Sequence, residues 1–197
     1  LVSRLRITLG RVRLGILGGT FDPPHIAHLL AGECAYRQLN LARVLFIPAG
    51  APWQKAGQMV TDAKHRWYMT RLATDEVRYF EADDCEVNRE GPTYTIETLE
   101  RFDDEVVLIL GADAASRLRT WHRYREVIDR VSIAVAPRPG TSMSQVRTVA
   151  SNVVELDMPA LDVSGTELRG RVARGATIKY LVQDSIAAYI DKHRLYV

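Results

Sequence analysis

Apolar runs of strand length alternate with segments of helical period along most of this chain, and no other feature restricts the fold as tightly. The runs at 11–19, 42–50, 105–111 and 132–140 read as buried strands. One or two shorter strands fall within 78–92, and 153–159 reads as extended. Between them, helical spacing is predicted at 26–39, 62–76, 93–102, around 124–131 and at 144–151, and again at 165–175 and 182–193. Asp62 stands where a helix cap is needed. Alternation of this kind predicts an α/β fold: a Rossmann-like, doubly wound parallel sheet with a small helical C-terminal part. The length of 197 residues fits one domain over 12–197, preceded by an extension over 1–11 of unknown role. In such sheets ligands bind beyond the carboxyl ends of the strands. The residues that follow strands are therefore the first to inspect.

The junction after the first strand reads LGILGGTFDPPHIAH, residues 14–28. Its glycines fit neither the dinucleotide fingerprint G-x-G-x-x-G nor the G-x-x-x-x-G-K-[ST] phosphate loop. The physics is related all the same. Gly18 and Gly19 let backbone N–H groups approach an anion closely. The following helix adds unpaired N–H groups and a positive dipole end. Pro23 and Pro24 suit a first turn, where a missing N–H costs nothing. His25 and His28 are three apart and project from one face of that turn. Imidazolium beside phosphate gains charge and hydrogen bonds, and the phosphate raises its pKa. No acid or cysteine at the usual spacing completes a metal site around the two histidines.

Several function classes are excluded or disfavoured by composition. A net charge of +2 implies no nucleic-acid partner. No run approaches the ~18 apolar residues of a membrane span, and the arginine-studded start does not read as a signal peptide. Cys34 and Cys85 form no disulfide framework or metal-ligand spacing and read as small buried hydrophobes, which fits a reducing cytoplasm. Self-association is left open.

The string GGTFDPPHIAH resembles the GGTFDPxHxGH signature of nucleotidyltransferases that join a nucleoside monophosphate to a phosphorylated acceptor. Ala27 stands where the family has glycine. VSGTELRGR, residues 163–171, is similar to the superfamily's ISSTxIR motif, with Gly165 in place of the second serine. Ser164 or Thr166 can cap the helix they open, which puts Arg169 one turn in, able to clasp two phosphate oxygens. PAGAPWQK, NREGPTYTIETL, LGADAASRLRTWHRYREV and APRPG are similar to segments of the nicotinate-mononucleotide adenylyltransferase branch. ATIKYLVQDSIAAYI also matches, although Gln183 stands where proline is usual. The likeness runs from Leu14 almost to the end.

What the resemblance implies is adenylyl transfer from ATP to nicotinate mononucleotide, giving deamido-NAD and pyrophosphate. It implies catalytic roles for His25, His28 and Arg169. ATP contacts are expected from Gly18, Gly19, Thr20, Phe21, Gly111, Asp113, Ser164 and Thr166. Acceptor contacts are expected from Lys55, Thr93, Tyr94, Trp121 and Arg138. Asp113 either accepts from ribose hydroxyls or caps the next helix. Trp121 either stacks on the pyridine or belongs to the core. The backbone N–H groups of Thr93 and Tyr94, at a helix start, suit nicotinate's carboxylate. Mg²⁺ is expected on the ATP phosphates, with no dedicated protein metal site. The alternatives are another acceptor, such as nicotinamide mononucleotide or pantetheine phosphate, and a nucleotide-binding sensor without turnover.

Overall fold

The computed structural model describes residues 12–55 and 57–197; the extension expected over 1–11 lies outside the described residues. Six strands form one sheet: β1 (Arg13–Gly19), β2 (Arg43–Pro48), β3 (Phe80–Ala82), β4 (Glu105–Gly111), β5 (Ser132–Ala136) and β6 (Val153–Glu155). Their spatial order is β3-β2-β1-β4-β5-β6, with every pairing parallel. Parallel neighbours need crossover connections, and these carry α1 (Ile26–Gln38), α2 (Ala63–Thr74), α3 (Thr95–Leu99), α4 (Ala112–Ala115), α5 (Tyr124–Arg130) and α6 (Met143–Arg147). Two further helices, α7 (Gly165–Ala173) and α8 (Asp184–Lys192), follow the sheet. The segment 78–92 supplies one short strand rather than two.

Period-two alternation divides the core. Leu14, Ile16, Leu45, Ile47, Leu108 and Leu110 face one way and pack with residues of α3 to α6. Leu17, Val44, Phe46, Val107 and Ile109 face the other way and pack with Ala31 and Ala35 of α1. A sheet covered on both faces explains why its strands are continuously apolar. Each fully buried Leu or Ile contributes about 1.5–3 kcal/mol over leaving it exposed. A third cluster joins Met69 and Ala73 of α2 to Leu168 of α7 and to Ile186 and Ile190 of α8, so the C-terminal helices pack back on the α1–α2 half. No described helix is long and apolar enough to cross a membrane.

The strand order reverses between β1, which leads leftward to β2, and β4, which leads rightward to β5. That reversal opens a crevice beyond the carboxyl ends of β1 and β4. The residues singled out after β1 and β4 therefore meet in space.

Candidate active site

The first wall of the crevice differs in detail from a glycine turn. β1 runs through Gly18 and Gly19, which pair with Ile47 and Pro48. The tight bend comes two residues later, at Phe21, whose φ of 48° is left-handed. Phe21 is buried, and its ring meets the His28 ring edge-on at 4.9 Å. Packing holds a conformation that glycine would adopt freely. Pro23 and Pro24 precede the helix rather than forming its first turn; His25 is the N-cap of α1 and His28 its third residue.

The two imidazoles stack at 3.7 Å. His28 Nδ1 accepts the main-chain N–H of His25 at 3.2 Å. A neutral His28 therefore carries its proton on Nε2, aimed away from the helix as a donor. His25 is buried, and its Nδ1 has no partner among the described residues. Burial first, then the charge of Arg138, pushes the His25 pKa down to about 3. Enclosure, then the neighbouring His25, Arg138 and Lys55, holds His28 well below the usual histidine range. Burial and the neighbouring cations thus favour the neutral form of both rings, and an anion beside them, as the sequence expectation has it, would favour the charged form.

Two buried polar residues that the sequence reading passed over hold this wall. Arg66 of α2 is 1% exposed. It donates to the carbonyls of Thr20 (2.9 Å), Ala49 (2.6 Å), Gly50 (2.9 Å) and Thr61 (2.8 Å). One guanidinium thereby ties the loops after β1 and β2 to the start of α2. Asp22, also buried, accepts at Oδ2 from the Thr61 N–H (3.1 Å) and at Oδ1 from the Tyr196 hydroxyl (2.7 Å).

Arg169 reaches the same point from α7. Its Nη1 donates to the Asp22 carbonyl at 2.8 Å and lies 3.8 Å from Oδ2. Ser164, not Thr166, caps α7 by accepting from the Glu167 N–H; Thr166 instead offers its hydroxyl oxygen to Arg169 Nη2 at 3.4 Å. The departure at Gly165 has a steric reason. A Cβ there would stand 2.6 Å from the Asp22 carbonyl oxygen that Arg169 uses. Arg138, expected at the acceptor, lies on this side too. It donates to the carbonyls of Val163 (2.8 Å) and Leu161 (3.2 Å), and its Nε stands 3.7 Å from Asp113 Oδ1. Asp113 caps no helix: α4 starts from Gly111 without a side-chain cap.

The opposite wall is aromatic. Trp121, after β4, packs against the core and also lines the crevice, with its indole N–H buried and unpartnered among the described residues. Tyr94, the N-cap of α3, stacks near His122 at 4.3 Å and stands 6.3 Å from Trp53. His122 and Trp53 lay within quoted motifs but were not singled out. The Thr93 N–H, expected to be free, donates to the Ala51 carbonyl at 3.3 Å. Lys55 sits half-buried in a short 3-10 turn, Trp53–Lys55. Burial, with Arg169 nearby, lowers its pKa, and Asp22 partly offsets this. The space between the walls measures about 360 Å³.

Gly18, Thr20, His28, Lys55, Thr93 and Trp121 all line this one cavity, as do Asp113, Arg138 and Ser164. Such a cavity has cationic and N–H donors on one side and aromatic faces on the other. It suits a polyphosphate nucleotide opposite a planar, phosphorylated partner. Comparisons with known proteins give the family and the fold. The cytidylyltransferase-like family model matches residues 16–171. A protein of Thermoanaerobacter sp. (strain X514), named "probable nicotinate-nucleotide adenylyltransferase", is 40% identical over 94% of both chains. One of the same name from Leifsonia xyli subsp. xyli is 41% identical over 94% of each. The solved nicotinic acid mononucleotide adenylyltransferase of Plasmodium falciparum complexed with NaAD shares the fold, with a TM-score of 0.79 at 17% identity over 94% of this chain and 97% of that one. The chain therefore belongs to the cytidylyltransferase-like family, in its nicotinate-nucleotide adenylyltransferase branch.

Proposed function

We propose that this protein transfers the adenylyl group of ATP to nicotinate mononucleotide, giving deamido-NAD and pyrophosphate. The observation that carries the reading is the juxtaposition of His25, His28 and Ser164 with Thr93 and Trp121 across one crevice, with Arg169 bonded to the carbonyl of Asp22, itself a lining residue. The 40% identical relatives bear the corresponding name.

A phosphate oxygen of the acceptor attacks the α-phosphorus of ATP and forms a new P–O bond. The bond from that phosphorus to the bridging oxygen breaks, and its electron pair leaves with pyrophosphate. The acceptor phosphate is mostly ionised at neutral pH, with a second pKa of about 6, so the chain need supply no general base. Its contribution is placement and charge neutralisation. His28, through Nε2–H, and the His25 ring stacked on it meet the transferring and adjacent phosphates. Thr20, the Gly18–Gly19 backbone and the buried Phe21 shape the loop beneath them. Ser164, Thr166 and Arg169 hold the leaving pyrophosphate. Asp113, beside Gly111, faces the ribose, and Arg138 adds charge on the ATP side. Lys55 reaches the acceptor phosphate between the walls. Trp121 stacks on the pyridine ring, and the Tyr94 N–H, which has no partner among the described residues, meets its carboxylate alongside the Thr93 side chain.

The donor set fits Mg²⁺ that arrives on the nucleotide. The described residues hold no cluster of three or more His, Cys, Asp or Glu suited to a metal ion, and both Asp22 oxygens are already engaged. Bound to the ATP phosphates, the ion would screen their charge from the attacking phosphate. The test is pyrophosphate release with ATP and each of nicotinate mononucleotide, flavin mononucleotide and pantetheine phosphate. The reading requires turnover with the first far above the others. No turnover with any acceptor would leave a nucleotide-binding sensor.

A further inference from the structure

The penultimate residue of the chain reaches the phosphate wall. Tyr196 donates its hydroxyl to Asp22 Oδ1 at 2.7 Å, across 174 positions of sequence. The same carboxylate accepts the Thr61 N–H and lies 3.8 Å from Arg169, which also donates to the Asp22 carbonyl and to the Thr166 hydroxyl. Asp22 is 4% exposed, so its charge is held almost wholly by these partners. The tail follows an unusual path to get there. Arg194 and Tyr196 both have left-handed φ, 49° and 69°, at residues other than glycine. Such backbone persists only where other contacts fix it. The hydroxyl stays protonated as a donor, because burial and the Asp22 charge push its pKa above the ordinary tyrosine range. Nothing in the transfer step itself uses this ring.

We infer that Tyr196 is a positioning residue: by fixing the Asp22 carboxylate it holds Arg169 in the orientation that meets the ATP phosphates. Without that hydroxyl, Oδ1 loses its partner and turns toward the nearest donor. Arg169 would then be drawn from the phosphates onto the carboxylate. The inference rests on the proposed role of Arg169 in ATP binding.

The experiment is a double-mutant cycle in the full chain, read as ATP affinity by calorimetry. Tyr196→Phe removes one oxygen and keeps the ring packed beside Met69. It should weaken ATP binding about tenfold, the scale of one charge-linked hydrogen bond. The KM for nicotinate mononucleotide should move less than the ATP affinity, because Lys55 is the acceptor-side residue that feels the charges of Asp22 and Arg169. In an Arg169→Ala background, adding Tyr196→Phe should change ATP affinity less than about twofold, since the residue it acts through is gone. Equal tenfold losses in both backgrounds would overturn the inference. So would a lowered Tm with ATP affinity unchanged, which would make Tyr196 a packing residue only. A wild type that binds no ATP would remove the nucleotide-transfer reading itself, and the inference with it.

Discussion

On the phosphate wall Arg66 alone closes four main-chain hydrogen bonds, whereas on the acceptor wall Trp121 keeps its indole N–H without a partner among the described residues. The first wall is assembled from three distant parts of the chain: the loop after β1, the start of α2, and α7 with the tail. The second is made of short elements and aromatic faces near α3 and the turn before α5. Triphosphate binding and charge neutralisation need donors fixed before the substrate arrives. Ring recognition needs area and one or two free donors. The difference teaches where each kind of damage should appear: stability and turnover on one side, acceptor discrimination on the other.

The largest break should come from Arg66. In Arg66→Met the carbonyls of Thr20, Ala49, Gly50 and Thr61 lose their donor inside the protein. At about 1–3 kcal/mol for each buried unpaired group, with partial relief by water, the loss should be roughly 3–5 kcal/mol. A thermal melt should show Tm falling by about 10 °C for a chain of this size. A fall under about 2 °C would mean the wall is not organised by this residue.

His28→Ala attacks the same wall without its scaffold. It should lower kcat by ~100-fold or more, because it removes a donor acting on the transferring phosphate. The KM for the acceptor should move little. Steady-state kinetics varying each substrate in turn separates the two, and near-normal kcat in a folded variant would remove His28 from the mechanism.

The pH dependence sharpens the contrast. The His25 pKa is about 3 in the folded protein against the ordinary 6.5. As pH falls below 6.5 the unfolded chain takes up a proton that the folded chain refuses, so folding stability must fall with it. Between pH 6.5 and 5 the wild type should lose roughly 1.5 kcal/mol more than His25→Gln, from 1.36 kcal/mol per pH unit. Denaturant melts at both pH values give the difference. Parallel losses would show that His25 is charged in the folded state.

The smallest effect lies outside both walls. Gln183 is the N-cap of α8, with φ −65° and a buried Oε1 that has no partner among the described residues. Gln183→Pro fits that φ, restricts the unfolded chain and removes the orphan oxygen. It should stabilise by about 0.4–1 kcal/mol with both KM values unchanged. Destabilisation in a melt would mean that the amide does hold α8.

The sheet was legible because its apolar runs and helical periods differ so sharply, as at Glu105–Gly111 against Tyr124–Arg130. The glycines and histidines between Gly18 and His28 were legible as candidates because the spacing that marks them is local. Asp22 and Arg66 were not, although Asp22 lies inside the quoted signature. Their meaning depends on partners 39, 46 and 174 positions away, and no spacing rule carries such contacts. The left-handed bend at Phe21 escaped for a related reason: glycine is the local signal for that backbone, and here tertiary packing holds it instead. The bonds that hold Arg138, to carbonyls 23 and 25 positions away at Leu161 and Val163, likewise have no local signal.

The division of labour between the walls is tested most directly by acid against amide. We expect the wild type to prefer nicotinate over nicotinamide mononucleotide by at least ~100-fold in kcat/KM, because an amide NH₂ facing N–H donors leaves buried groups unpaired at about 1–3 kcal/mol each. Trp121→Ala, measured alongside, should lower kcat/KM for both acceptors while leaving the KM for ATP within about twofold, since stacking ignores the ring substituent. Equal use of the two mononucleotides by the wild type would contradict the carboxylate site at Tyr94, and with it the assignment of acceptor choice to the aromatic wall.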